Sequence, residues 1–113
     1  MATQQKTFEK LLLESIDKAL DSLGESARQS IYFHLQSKFK ITKQDIPQHL
    51  EDFENGLEKI FGLGAQFLEI LIMKDLYTKI GHPLEWKEGH PLEFVEYVKT
   101  AKQSFLEGSK ECQ

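Results

Sequence analysis

"IFGLGAQFLEILIMKDLYTKI", residues 60–80, decides the fold. Its apolar side chains recur at intervals of three and four, the spacing of a helix face, and no part of the chain alternates long enough to read as a strand. Placing residues 67–80 at about 100° per residue separates two apolar surfaces. Ile70, Ile72, Met73, Leu76, Tyr77 and Ile80 share a wide arc that lasts the whole length. Phe67, Leu68 and Leu71 lie opposite, and only in the first half; beyond them that side carries Lys74, Asp75, Thr78 and Lys79. A helix that is apolar all round is buried all round. The pattern predicts a central helix over about 63–80, enclosed in its first half and one-sided in its second.

Working outward, Gly62 and Gly64 allow a tight corner before this helix. Gly62 reads as a left-handed C-terminal cap of the preceding helix, and Gly64 as a site of close backbone packing. That preceding helix, near Gln48 to Phe61, turns Leu50, Phe53, Leu57, Ile60 and Phe61 to one face and the acidic Glu51, Asp52, Glu54 and Glu58 to the other. Before it, "KITKQDIPQHL" breaks the periodicity: Thr42 caps a short turn, Asp45 reaches back to it, and Pro47 enforces a boundary. Upstream, Ala27, Ile31, Leu35 and Phe39 mark a helix from Glu25 or Ser26 to about Phe39, with Phe33 projecting almost opposite that stripe. A first helix, capped by Thr7 and stopped by Gly24, carries Phe8, Leu11, Leu12, Ile16, Ala19, Leu20 and Leu23. After Gly81 the segment "GHPLE" occurs twice, at 81–85 and 89–93, and each His-Pro reads as a turn. The second copy opens a last helix, about Pro91 to Leu106. The expected fold is all-α: a compact bundle of four to five helices around the central one, as a single domain over 1–108 with a frayed tail at 109–113.

Composition narrows the function classes. Of 113 residues, 40% are hydrophobic and 11% aromatic, which excludes a disordered chain and is enough for a core without staples. A formal charge of −4 gives no general attraction for nucleic acid or anionic lipid. One cysteine, Cys112, excludes an internal disulfide and a cysteine-rich zinc site. No basic-then-apolar leader opens the chain, and its longest charge-poor run, Ile60 to Met73, contains Glu69 and is too short to span a bilayer. The expectation is a cytoplasmic protein with no membrane contact.

Candidate chemistry is sparse. Glu69 falls inside the apolar arc, where a buried carboxylate would have a raised pKa. No nucleophile or second carboxylate shares its helix face, so a catalytic role is not expected. His34, His49, His82 and His90 lack metal-ligand spacing, and "GLGAQF" lacks the strand and lysine of a phosphate loop. No catalytic residue, metal site or cofactor is therefore assigned, and the chain reads as non-enzymatic. What remains is surface. Phe33, Phe67, Leu68 and Leu71 form surplus apolar area that implies self-association, as a homodimer, or a protein partner. Arg28, Lys38, Lys40 and Lys43, interleaved with Phe39 and Ile41, make a basic strip that offers an alternative reading as a small transcription-associated nucleic-acid binder.

"ESIDKALDSLGESARQSIYFHLQSKFKI", then "IP", then "LEKIFGLGAQFLEILIMKDLYTKIG" resembles the NitrOD family (type five), small archaeal output domains. The final "PLEFVEYVKTAKQSFL" fits the last helix of that pattern, so the resemblance covers nearly the whole chain. Its most specific pieces are "LGESARQSIYFHL" and "IFGLGAQFLEILI", neither of them a catalytic signature. The resemblance implies a place at the output end of archaeal signal transduction and transfers no catalytic residue. With no receiver or sensor module in the sequence, the expectation is a domain that acts alone on itself or on another signalling or regulatory protein.

Overall fold

The computed structural model describes residues 2–82, 84 and 93–111, and among these residues there is no strand. Five helices follow one another: α1 (Ala2–Asp21), α2 (Glu25–Phe39), α3 (Leu50–Phe61), α4 (Ala65–Ile80) and α5 (Phe94–Glu111). Short 3-10 turns over Lys43–Gln48 and Gly62–Gly64 lead into α3 and α4. Of the repeated segments, Gly81, His82, Leu84 and Glu93 are described; Pro83, Glu85, Gly89, His90, Pro91 and Leu92 lie outside the described residues, as does Cys112.

α4 is the central element, packing against α1, α3 and α5. Its buried stripe is Ala65, Leu68, Ile72, Met73, Leu76 and Tyr77, the three-and-four spacing of one helix face. α1 answers with Phe8, Leu12, Ile16 and Leu20, all buried at intervals of four. The two helices run antiparallel, since Lys79 pairs with Glu14 while Asp75 receives the Ser15 hydroxyl. α5 closes the bundle with Phe94, Val98 and Ala101, setting the Phe94 ring 6.1 Å from Phe53 and the Phe105 ring 5.9 Å from Phe8. Each fully buried Leu, Ile or Phe contributes roughly 1.5–3 kcal/mol against exposure, so these stripes dominate the stability.

Several boundaries move from their expected places, each for a local reason. α1 begins at Ala2 rather than after Thr7, because Ala2, Gln4, Gln5 and Lys6 are good helix formers and continue the turn. α5 runs on to Glu111, past the expected end near Leu106 and into the stretch expected to fray. Pro47 sits inside the first 3-10 turn, where its missing N–H is tolerated; there the Thr42 hydroxyl donates to Asp45 at 2.7 Å.

The corner is glycine-dependent at one position only. Gly62 takes φ 60° and ψ −132°, a positive-φ conformation other than the expected left-handed cap, while its N–H still closes on Glu58 O. Gly64, by contrast, has helical φ −64°, and a Cβ there would meet only Phe61 at an ordinary 3.7 Å, so it does not serve close packing. Close approach occurs at Gly56 instead, where a Cβ would come within 2.6 Å of Leu35 on α2. Among the described residues no helix is long and apolar enough to cross a membrane.

Candidate functional site

The first half of α4 is not enclosed. Leu68 is 4% exposed and belongs to the core, so the expectation that it joins a partner surface is corrected; at about 100° per residue it falls between the buried Ile72 and Asp75, and Asp75 bonds Ser15 and Lys18 of α1. Phe67 and Leu71 do face outward, 74% and 45% exposed, and Leu63 in the preceding turn is 87% exposed. Residues four apart on a helix are neighbours, so Phe67 and Leu71 form one ridge, with Leu63 at its foot. Leu71 also lines a shallow groove between α1 and α4, together with Ala19, Ser22, Lys74 and Thr78. Since Lys74 and Thr78 follow Phe67 and Leu71 by seven, ridge and groove share one face of α4. Leu23, next to Ser22 at the end of α1, adds a further exposed apolar side chain that the sequence assigned to the core stripe. Phe33 is exposed as expected but lies on α2, which packs against α1 and α3, so the structure does not join it to the ridge.

The basic strip is not assembled as a free positive surface. Arg28 lies 3.5 Å from both Asp17 and Asp21 and 3.9 Å from Glu25. Lys43 pairs with Asp17 at 2.6 Å and stands over the Tyr32 ring. Only Lys38 and Lys40 have no carboxylate partner among the described residues, and Lys40 reaches back to Ser37 O at 3.4 Å while occupying the left-handed cap of α2. The histidines are likewise dispersed: His34 meets the Phe33 ring edge-on at 6.1 Å, His49 lies 3.7 Å from Asp52, and His82 meets Ser104 at 3.1 Å.

Buried and half-buried carboxylates divide into two kinds. Burial pushes Asp17 up, but hydrogen bonds from Lys43 and Tyr32 and the charges of Lys43 and Arg28 outweigh it and hold the carboxyl below its usual range. Asp75 behaves alike: burial raises it, and Lys79, Ser15 and Lys18 bring it down. Both stitch helices together. Glu69 has no such partners. It is 2% exposed, its Oε2 is buried with no hydrogen-bond partner among the described residues, and the carboxylates facing it are Glu54 and Glu58 from α3. Burial pushes the Glu69 carboxyl up to about 8, and the charges of Glu54 and Glu58 add to the rise. Glu54 is raised too, by burial and then by Glu58 and Glu51. One oxygen of each of Glu54, Glu58 and Glu69 lies within 4.8 Å of the other two. The sequence marked Glu69 as out of place but left it alone on its face, because its companions come from another helix.

No family model, curated protein or solved structure matches the chain.

Proposed function

We propose that the chain is a non-enzymatic interaction module that pairs with a second copy of itself through the Leu63–Phe67–Leu71 ridge. The observation that carries this reading is an apolar ridge beside an apolar groove on one face of α4. A two-fold axis places the Phe67 of each copy in the α1–α4 groove of the other, so one face supplies both halves of the contact. Lone exposed apolar residues are ordinary; two on one face of a central helix, with a third in the turn that leads into it, are not.

The magnitude sets the expected affinity. Covering these side chains on two copies yields on the order of 10 kcal/mol before the roughly 4–15 kcal/mol lost in ordering the partners. The surplus is at most about 6 kcal/mol, a Kd of tens of micromolar or weaker, so the pair is a weak dimer suited to reversible signalling. The resemblance of the sequence to archaeal output domains supports a place at the end of a signalling chain, inside the cytoplasm, with another regulatory protein as the downstream partner. The reading as a nucleic-acid binder gains no support, since Arg28 and Lys43 are engaged by Asp17.

Sedimentation velocity across a dilution series tests the reading. The wild type should move from twice its 13.1 kDa mass toward the single mass as it is diluted. Phe67→Glu should stay at the single mass with unchanged helicity, and Phe33→Glu should behave as the wild type. A wild type that never exceeds the single mass, or a Phe67→Glu variant that still dimerises, contradicts it.

A further inference from the structure

Glu54 and Glu58 stand one turn apart on α3, Glu69 comes from α4, and their carboxylates converge beside the Gly62–Gly64 corner. Acidic clusters on a surface are common and by themselves say nothing. Glu69 sets this one apart, being almost wholly buried with an oxygen that no donor among the described residues satisfies. The half-buried Asp17 and Asp75 each collect lysines and hydroxyls; this more deeply buried acid collects two more acids. Like charges one helical turn apart, as Glu54 and Glu58 are, also destabilise a helix unless something neutralises them.

We propose that Glu54, Glu58 and Glu69 bind one hard divalent cation, of the calcium or manganese kind, which ties α3 to α4. Three atoms no more than 4.8 Å apart share a point within about 2.8 Å of each (4.8/√3). Calcium–oxygen distances run about 2.3–2.6 Å and magnesium–oxygen about 2.0–2.1 Å, so a calcium-sized ion needs the smaller adjustment. An all-oxygen donor set selects calcium, magnesium or manganese over softer metals. Glu58 is exposed and Glu54 half-buried, which leaves an open side where water completes the coordination shell. Glu54 also lines a cleft between α3 and α5 with Glu51, Glu93, Glu96 and the single cation Lys99, a net-negative lining that favours cations near the site. The ion joins the two helices on either side of the turn that carries Leu63, and so steadies the foot of the apolar ridge.

The test uses the full chain, stripped of metal with a chelator and titrated with Ca2+ and separately with Mn2+ by calorimetry and thermal unfolding. One ion per chain should bind, and saturation should raise the unfolding midpoint by about 5 °C or more. Glu58→Gln, at an exposed position that leaves folding intact, should weaken binding by more than about tenfold, and Glu69→Gln should abolish it. Asp52→Asn, at an exposed acid of α3 outside both the triad and the cleft, should leave affinity unchanged. Phe67→Glu should bind the ion like the wild type, so failure of the dimer and failure of the cation site are separable. No heat and no thermal shift with either ion at millimolar concentration overturns the proposal. So does an equal loss from Asp52→Asn, which would reduce the effect to diffuse surface charge.

Discussion

Replacing Glu69 with glutamine should make the metal-free protein more stable, and increasingly so as pH rises. Burial and the facing Glu54 and Glu58 carboxylates lift the Glu69 pKa from 4.5 to about 8 in the fold. Because the folded value lies above the unfolded one, the associated stability is fully present below about pH 4.5 and is lost as pH climbs through about 8. Within that window wild-type stability should fall by up to about 1.4 kcal/mol per pH unit, to a ceiling near 5 kcal/mol. Glutamine keeps the shape, carries no charge, and can donate its amide to Glu54 or Glu58, so in the variant this slope disappears. Chemical denaturation followed by far-ultraviolet circular dichroism, in chelator, should find the two proteins within about 1 kcal/mol at about pH 5. By about pH 9 the variant should be ahead by several kcal/mol, or about 10 °C or more in midpoint. A Glu69→Gln variant that is less stable across the whole range would refute the reasoning, because it would mean the carboxylate is held by a partner and stabilises the fold.

The corner yields a contrast: Gly62→Ala forces a side chain into positive φ and should cost about 1 kcal/mol or more, whereas Gly64→Ala, at helical φ, should be neutral or stabilising by about 0.5 kcal/mol, both read from thermal midpoints. Leu68→Glu should cost several kcal/mol and lose helicity, since it places a carboxylate in the core, while Phe67→Glu at a 74% exposed position should leave far-ultraviolet dichroism intact. Asp17→Asn strips the partner from Lys43, Tyr32 and Arg28 and should cost about 1–3 kcal/mol near neutral pH. Since the fold lowers the Asp17 pKa, that difference should be present above the unfolded value of 3.8 and shrink as pH falls through it, in denaturant midpoints measured against pH.

Much of the bundle was legible in the sequence, because amphipathic helices announce themselves. Phe8, Leu12, Ile16 and Leu20 repeat at fours, and Gly24 and Gly81 stop their helices at positive φ. Where the pattern lacked contrast it misled. The start of α4 is apolar in every direction, so angular arithmetic could not say which arc faces inward; packing against α1 and α5 chose Leu68 and left Phe67 and Leu71 outside. Gly56 gave no signal either, as nothing in its own helix reveals that Leu35 presses on it from α2. The candidate site was half visible. Glu69 stood out as a charge on an apolar face, but Glu54 and Glu58 read as a solvated acidic face, and only the fold of α3 onto α4 brings the three together. The basic strip failed for the same reason in reverse, since Asp17 is supplied by a different helix from Arg28 and by a distant part of the chain from Lys43.

The central claim, that the ridge on α4 is the surface by which two copies meet, is tested most directly by isotope-filtered nuclear magnetic resonance on a mixture of labelled and unlabelled protein at a concentration where the dimer prevails. Intermolecular Overhauser contacts are expected from the Phe67 ring to the Leu71 side chain and to Ala19 in the α1–α4 groove of the other copy. Contacts confined to Phe33, or none at all in a sample whose sedimentation shows a dimer, would contradict it.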